Sequence, residues 1–210
     1  MSVASSERVP LTILGAIVLS TFLPNIWATI AIPTDLRSMV RKADLVFTGK
    51  VVAQRSEWAN VNNQKKIITL VTCEVLELYK GAAGRTVELR CPGGTVGDTT
   101  LELVGLPSFS IGEKCVLFVR TNANAVCPIV GIYHGKLLVS KSTAGSDEVV
   151  SRHNGRPLRA ISEIGVDSDA SAAGAGGSAG GGGAPLTFRE LRTRIGEEVA
   201  NDKASIQPAR

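Results

Sequence analysis

Two histidines, a few acidic residues beside predicted turns and four cysteines are the side chains whose chemistry could reach beyond packing. His134 falls in a turn between two strands, and His153 in a loop with Arg152 and Asn154. Asp98, Glu102 and Glu113 lie near turns as well. Acid–base work needs two such groups within hydrogen-bond reach of one another or of a substrate. Nothing in their spacing assembles such a pair. No Gly-x-Ser-x-Gly elbow is set between a strand and a helix, and no His-Glu-x-x-His occurs. Gly93-Gly94-Thr95-Val96-Gly97 has the look of a phosphate loop. It lacks the Lys-Ser/Thr ending and a following helix, so it reads as a turn.

Cys73, Cys91, Cys115 and Cys127 all fall in predicted strands. Four cysteines allow three pairings. If Lys80 to Gly84 is a tight turn, Cys73 lies opposite about residue 92, beside Cys91. A second hairpin, turning at Asn122 to Asn124, brings Cys115 towards Cys127. In an oxidising compartment neighbouring cysteines pair, so the expectation is Cys73–Cys91 and Cys115–Cys127. The alternative is four buried thiols acting as small hydrophobes. A zinc site is disfavoured by the lack of Cys-x-x-Cys and of a nearby His pair. No cofactor motif is found.

The elements that carry these residues are mostly strands. Leu36, Met39, Val40 and Ala43 mark one face of a short helix, with Thr34 as its N-cap. Strands follow at 45–52, 67–79, 86–91, 99–104, 114–120, 126–133 and 136–140. Trp58 to Gln64 reads as a loop. Gly49 breaks the alternation of its strand and signals a bulge. Lys80-Gly81, Gly93-Gly94 and the run Gly105-Leu106-Pro107-Ser108-Phe109-Ser110-Ile111-Gly112-Glu113 punctuate the chain, with Phe109 placed to plug the core. Short strands with regular turn signals predict a mainly β fold. A small closed or partly open OB-like barrel fits best, and a sandwich is the alternative.

The flanks differ in kind. No residue from Val9 to Thr34 is charged, and Thr29-Ile30-Ala31 offers a cleavage site. Residues 1–31 therefore read as a secretory signal peptide, with an uncleaved anchor as the alternative. The barrel domain is expected over 32–162 and a Gly/Ala/Ser-rich linker over 163–185. An amphipathic helix is expected over 186–201 and a disordered tail over 202–210. Thr187 and Glu190 form a capping box, Leu186 and Leu191 a hydrophobic staple. Phe188, Leu191, Ile195 and Val199 form a stripe that must be buried, by default docked back on the barrel, with a partner or a membrane surface as the alternatives.

Hydrophobic residues make up 44% of the 210, charged ones 20% and aromatics only 4%. That supports one domain with a Val, Leu and Ile core. The net charge of +4 is scattered, without a basic run. The strands are aliphatic and lack the stacking aromatics of nucleic-acid barrels. Nucleic acid is therefore not an expected partner.

The stretch from Asp44 to Val139 resembles a group of uncharacterised exported bacterial proteins. The matching residues are Ala43-Asp44-Leu45-Val46, Gly49-Lys50-Val51-Val52, Val75 with Lys80-Gly81, and Pro92-Gly93-Gly94. They continue through Gly105-Leu106-Pro107-Ser108-Phe109, Gly112-Glu113, Leu117-Phe118, Gly131 and Gly135-Lys136. The Leu186-Thr187-Phe188 helix is similar too. More distantly, the pattern is similar to the netrin-like domain, the OB barrel of the tissue inhibitors of metalloproteinases. Those inhibitors set an N-terminal cysteine on the protease zinc. No Cys lies near Ile32, so that mechanism is not implied here. The resemblance implies a barrel that binds protein through its loops.

The expected function is an exported, non-enzymatic binding or adaptor module. Its partner is an extracellular or periplasmic protein, and it meets membrane only through an uncleaved N-terminal segment or the C-terminal helix. The first alternative is an inhibitor or accessory factor of an extracellular protease. The second is an enzyme with a site built from His134, Asp98 or Glu102.

Overall fold

The structure, a computed structural model, describes residues 34–61, 63–120, 127–142, 145–166 and 183–206. The expected signal peptide, most of the expected linker and the last four residues lie outside this set.

Helix α1 covers Leu36–Lys42. Its N-cap is Asp35, not Thr34: the Asp35 carboxylate accepts the Ser38 N–H at 2.7 Å. A carboxylate serves the exposed N–H groups of a first turn better than a hydroxyl, because it also carries charge towards the positive end of the helix. The predicted stripe of Leu36, Met39, Val40 and Ala43 is buried throughout.

Among the described residues eight strands follow: β1 Leu45–Val61, β2 Gln64–Lys80, β3 Thr86–Pro92, β4 Gly94–Val96, β5 Thr99–Leu101, β6 Lys114–Val119, β7 Lys136–Lys141 and β8 Glu148–Arg152. Six make one antiparallel sheet in the order β3-β2-β1-β6-β7-β8, and β4 with β5 forms a separate ribbon. Among the described residues the sheet does not close, and β3 and β8 are its edges. The fold is mainly β, as expected.

Several boundaries are corrected. Trp58 to Gln64 is largely strand, because Trp58 pairs with Ile67 and Val61 with Gln64. The ribbon turns at Asn63, whose φ of 61° suits asparagine. Of the strand expected over Val126 to Tyr133, the described residues from Cys127 on do not form one. Only Ile129 bridges, to Val119, and the chain then knots through turns up to Gly135. The segment after Leu101 leaves strand geometry three residues early, and β8 was not foreseen. β8 reads Glu-Val-Val-Ser-Arg, too short for its alternation to stand out.

The bulge at Gly49 is present: the β1–β2 register shifts between Thr48 and Gly49. A Cβ there would lie 2.7 Å from the Phe47 ring and 3.0 Å from the Glu74 carbonyl. Gly49 therefore lets Phe47 fold over its own strand.

The sheet has two apolar faces. On one, Val46, Val116, Phe118, Leu137, Val139 and Val150 pack against α1 and the C-terminal helix. On the other, Leu45, Phe47, Val51, Leu89, Leu117 and Ile129 form a second cluster, joined by the cysteines. The C-terminal helix, α2, runs Phe188–Ile206, so the expected tail begins as helix. Its capping box forms. The Glu190 N–H donates to Thr187 Oγ1 at 3.2 Å, and the Thr187 N–H donates to Glu190 Oε2 at 3.0 Å. Leu186, Phe188, Leu191, Ile195 and Val199 are all buried against the sheet. Lys80 fixes the dock: its Nζ donates to the Val40 carbonyl at 2.8 Å and pairs with Asp202 at 2.7 Å.

Among the described residues no helix is long and apolar enough to cross a membrane.

Two tests follow from this packing. Leu191→Ala or Ile195→Ala removes a fully buried side chain. Either should cost about 2–5 kcal/mol in urea unfolding, and a loss under about 1 kcal/mol would show that α2 is not docked. The second concerns acid. Hydrogen bonds from Ser38 hold the Asp35 carboxyl below its ordinary 3.8, and those from Thr187 hold Glu190 below its ordinary 4.5. Because the folded values are depressed, this stabilisation is full above the ordinary values and is lost as pH falls through the folded ones. The stability advantage of the wild type over an Asp35→Asn, Glu190→Gln double variant should thus be constant above about pH 5 and shrink towards about pH 3.

Candidate functional site

The connection from β5 to β6 carries the densest run of predicted motif residues: Gly105, Pro107, Phe109, Gly112 and Glu113. It is long and has no strand or helix of its own, so its shape depends on anchors. The structure supplies them. The Gly112 N–H donates to the Val51 carbonyl at 2.8 Å, and the Val51 N–H donates to the Glu113 carbonyl at 3.0 Å. Gln54 Nε2 donates to the Phe109 carbonyl at 2.8 Å. Pro107 is buried and Phe109 packs against the second apolar cluster, the plug foreseen for it.

The central anchor is Lys136, the first residue of β7. It is 1% exposed. Its Nζ pairs with Glu113 Oε1 at 2.6 Å, donates to the Ser108 carbonyl, and lies 4.4 Å from the centre of the Phe109 ring. A buried ammonium is tolerated only when its charge and its protons are met. Here a carboxylate, a carbonyl and a ring face meet them, and all three belong to one loop. The loop base is therefore locked to the sheet.

Its outer residues are not. Val104 is 101% exposed, Ile111 67% and Leu103 40%. Single exposed apolar residues are ordinary. Three on one anchored connection, two of them almost bare, are a concentration that the core does not explain.

A second feature lies around the β6–β7 turns. Tyr133 packs at a tilt against both of the chain's histidines, with ring centres 4.4 Å from His134 and 4.5 Å from His153. Ile132 holds a φ of 65°, costly for a β-branched residue. Arg152 and Glu163 close one wall. The Arg152 guanidinium donates to the Glu163 and Val166 carbonyls at 3.1 and 2.7 Å, and pairs with the Glu163 carboxylate at 3.4 Å. The cleft holds about 150 Å³. Small-molecule pockets run to about 300–1,000 Å³, so this one suits at most a very compact ligand. Neither Asp98 nor Glu102 lines it. Asp98 sits in the β4–β5 turn and Glu102 just beyond β5. The carboxylates proposed to join His134 in an enzyme site are thus not brought to it.

The four thiols share one apolar cluster, and no disulfide joins them. The Cys73–Cys91 pairing expected from the sequence misses on register, and the Asn122 to Asn124 turn expected to bring Cys115 towards Cys127 lies outside the described residues. Cys73 lies opposite Val87, and Cys91 opposite Thr69. The reason is that Lys80 to Gly84 is not a tight hairpin. β2 runs past the start of β3 to pair Lys80 with Val46, and β3 begins only opposite Glu74. Cys115 pairs with Leu138 on β7, while Cys127 lies beyond the end of β6. Burial pushes the Cys73 thiol up to about 11 and raises Cys115 further. Among the described residues no cluster of His, Cys, Asp and Glu could hold a metal ion.

The other motif residues are placed as follows. Gly81 follows the Lys80 anchor at φ 86°, where a Cβ would strike the Asp44 carbonyl. Gly93 and Gly94 link β3 to β4, and Thr69 Oγ1 donates to the Gly93 carbonyl at 2.7 Å. Lys136, Gln54 and Tyr133 were missed as site residues. Lys136 had a signal: it shares the strand alternation of Leu138, so it faces the same way as an apolar residue.

No protein-family model matches the chain, and no curated protein or solved structure does.

The anchor gives a sharp mutational test. Lys136→Met leaves Glu113 without its cation and the Ser108 carbonyl without its donor, and should cost about 3–5 kcal/mol. Lys136→Met with Glu113→Gln should recover much of that. A single variant as stable as the wild type in urea would mean that the pair does not hold the loop.

Proposed function

We propose that the chain is an exported, non-enzymatic module that binds another protein through the connection between β5 and β6. The observation that carries this reading is the contrast within that loop. Its base is fixed to the sheet by Lys136, Gln54 and Val51, while Leu103, Val104 and Ile111 face solvent. Loops held on a rigid scaffold lose little entropy on binding. Apolar side chains already presented can then fill a partner's pocket and act as anchors. The charge-free segment from Val9 to Thr34 supports export, and with it a partner outside the cytoplasm. We read the sheet as a partly open barrel of the OB type. Supporting this, its second apolar cluster draws residues from β3 at one edge and from Ile129 beyond β6.

A Val104→Asp, Ile111→Asp double variant tests the reading. Both sites are exposed, so the melting temperature should stay near that of the wild type. Tagged wild-type protein mixed with the extracellular fraction of its producing cells should retain a defined protein that the double variant loses by at least about tenfold, a 1.4 kcal/mol effect. Equal retention by both would reject the loop as the contact. A retained protease that the wild type inhibits and the variant does not would fix the partner class as a protease.

A further inference from the structure

The second apolar cluster gathers Cys73, Cys91 and Cys115, with Cys127 packed against it. The four sulfurs are not equivalent. Cys73 and Cys115 are completely enclosed. Cys91 is 9% exposed, and Cys127 is half-buried at the rim. Thiol–disulfide exchange needs a sulfur that an oxidant can reach. Cys127 is the most open to that first encounter.

Topology points to its partner. Cys91 sits near the end of β3, the unpaired edge of the sheet. Cys127 sits in the connection that follows β6, beyond β2 and β1 in the sheet order. Both reach the one apolar cluster, so the curvature of the sheet brings these separated elements towards each other across it. Electrostatics agrees. Burial, then the Cys127 sulfur, then that of Cys73 push the Cys91 thiol up to about 12. The present contact of Cys127 is weak, an S–H donated to the Ile132 carbonyl at 3.7 Å.

We propose that Cys91 and Cys127 form a disulfide that staples the open β3 edge to the β6–β7 connection, while Cys73 and Cys115 remain thiols. The oxidant class is a small disulfide such as oxidised glutathione. The Cys127 thiolate attacks one glutathione sulfur, forming a mixed disulfide and releasing a glutathione thiolate. The Cys91 thiolate then attacks the Cys127 sulfur, forming the protein disulfide and releasing the second glutathione. Two protein thiols lose two electrons, glutathione disulfide gains them, and the two thiol protons end on two glutathione molecules. Because both protein thiols are raised by burial, the reaction is slow near neutrality. It accelerates with pH by up to about tenfold per unit, in step with the thiolate fraction.

The test uses the full chain with oxidised glutathione as the probe, followed by digestion without reductant and peptide mass mapping. The expected result is one cross-linked peptide joining Cys91 and Cys127, with two thiols that alkylate only after denaturation. Cys73→Ser and Cys115→Ser should keep the cross-link. Cys91→Ser should stop at a glutathione adduct on Cys127. The oxidised wild type should melt higher than the reduced one. The wild-type map needs no variant to fold and decides the matter alone. Four free thiols after prolonged exposure, or a cross-link in any other pairing, overturns the proposal.

Discussion

The whole structure depends on the first part of β1 having no free side. From Val46 to Lys50 it is paired with β2 on one edge and with β6 on the other. Its side chains are buried on both faces, Val46 and Thr48 under the helices and Leu45, Phe47 and Val51 in the opposite cluster. A strand of this kind cannot be satisfied by one covering layer, because its side chains alternate between faces. One face takes α1 and α2. The other has no helix available and must be covered by strand curvature and by loops. The bulge at Gly49 supplies part of that curvature, since bulges sharpen the local twist. The asymmetry explains why the motif residues gather on the loop side.

The two faces are also held by different kinds of polar contact. On the helical face, Lys80 ties β2 to both helices. Beside it a chain of hydrogen bonds runs from Thr48 through Tyr79 to Glu77, which pairs with Arg192 of α2. These contacts fix the position of a helix that already buries a full apolar stripe, so they add register more than energy. On the loop face the apolar cover is thin, and Lys136 with Glu113 has to do more. A loop without regular structure bonds little of its own backbone, here the Glu113 N–H to the Ser110 carbonyl at 3.1 Å. It borrows donors from the sheet, and a lysine reaching out of the core is one of few side chains long enough to lend one.

How far the sequence reveals this follows from the range of each signal. Local devices are legible: the α1 stripe, the Thr187–Glu190 capping box, the Gly49 bulge and the plug at Phe109 each involve residues within a few positions. The apolar stripe of α2 is legible, and its burial follows once a sheet face is available to receive it. Register is not legible. Cys73 misses Cys91 because β2 overruns β3 to reach β1, and nothing between Lys80 and Gly84 records a pairing made with Val46. The turns from Ile129 to Gly135 hide for a related reason. Their apolar, β-branched run reads as a strand, but Gly131 and Ile132 both take positive φ. The role of Lys136 depends on Glu113 and Ser108, brought near only by the fold.

The loop and the thiols share one apolar cluster, and this bears on how the loop can stay rigid while exposing its tips. Phe109 and the cysteines pack on the same side of the sheet. Cover built from small polarizable sulfurs and one ring fills space without long, flexible side chains. The Phe109 ring then meets the buried ammonium of Lys136 on one side and the cluster on the other. Every anchor of the loop base is therefore internal to the domain, and none uses Leu103, Val104 or Ile111. Those residues are left over from folding, which frees them to serve contacts outside the chain.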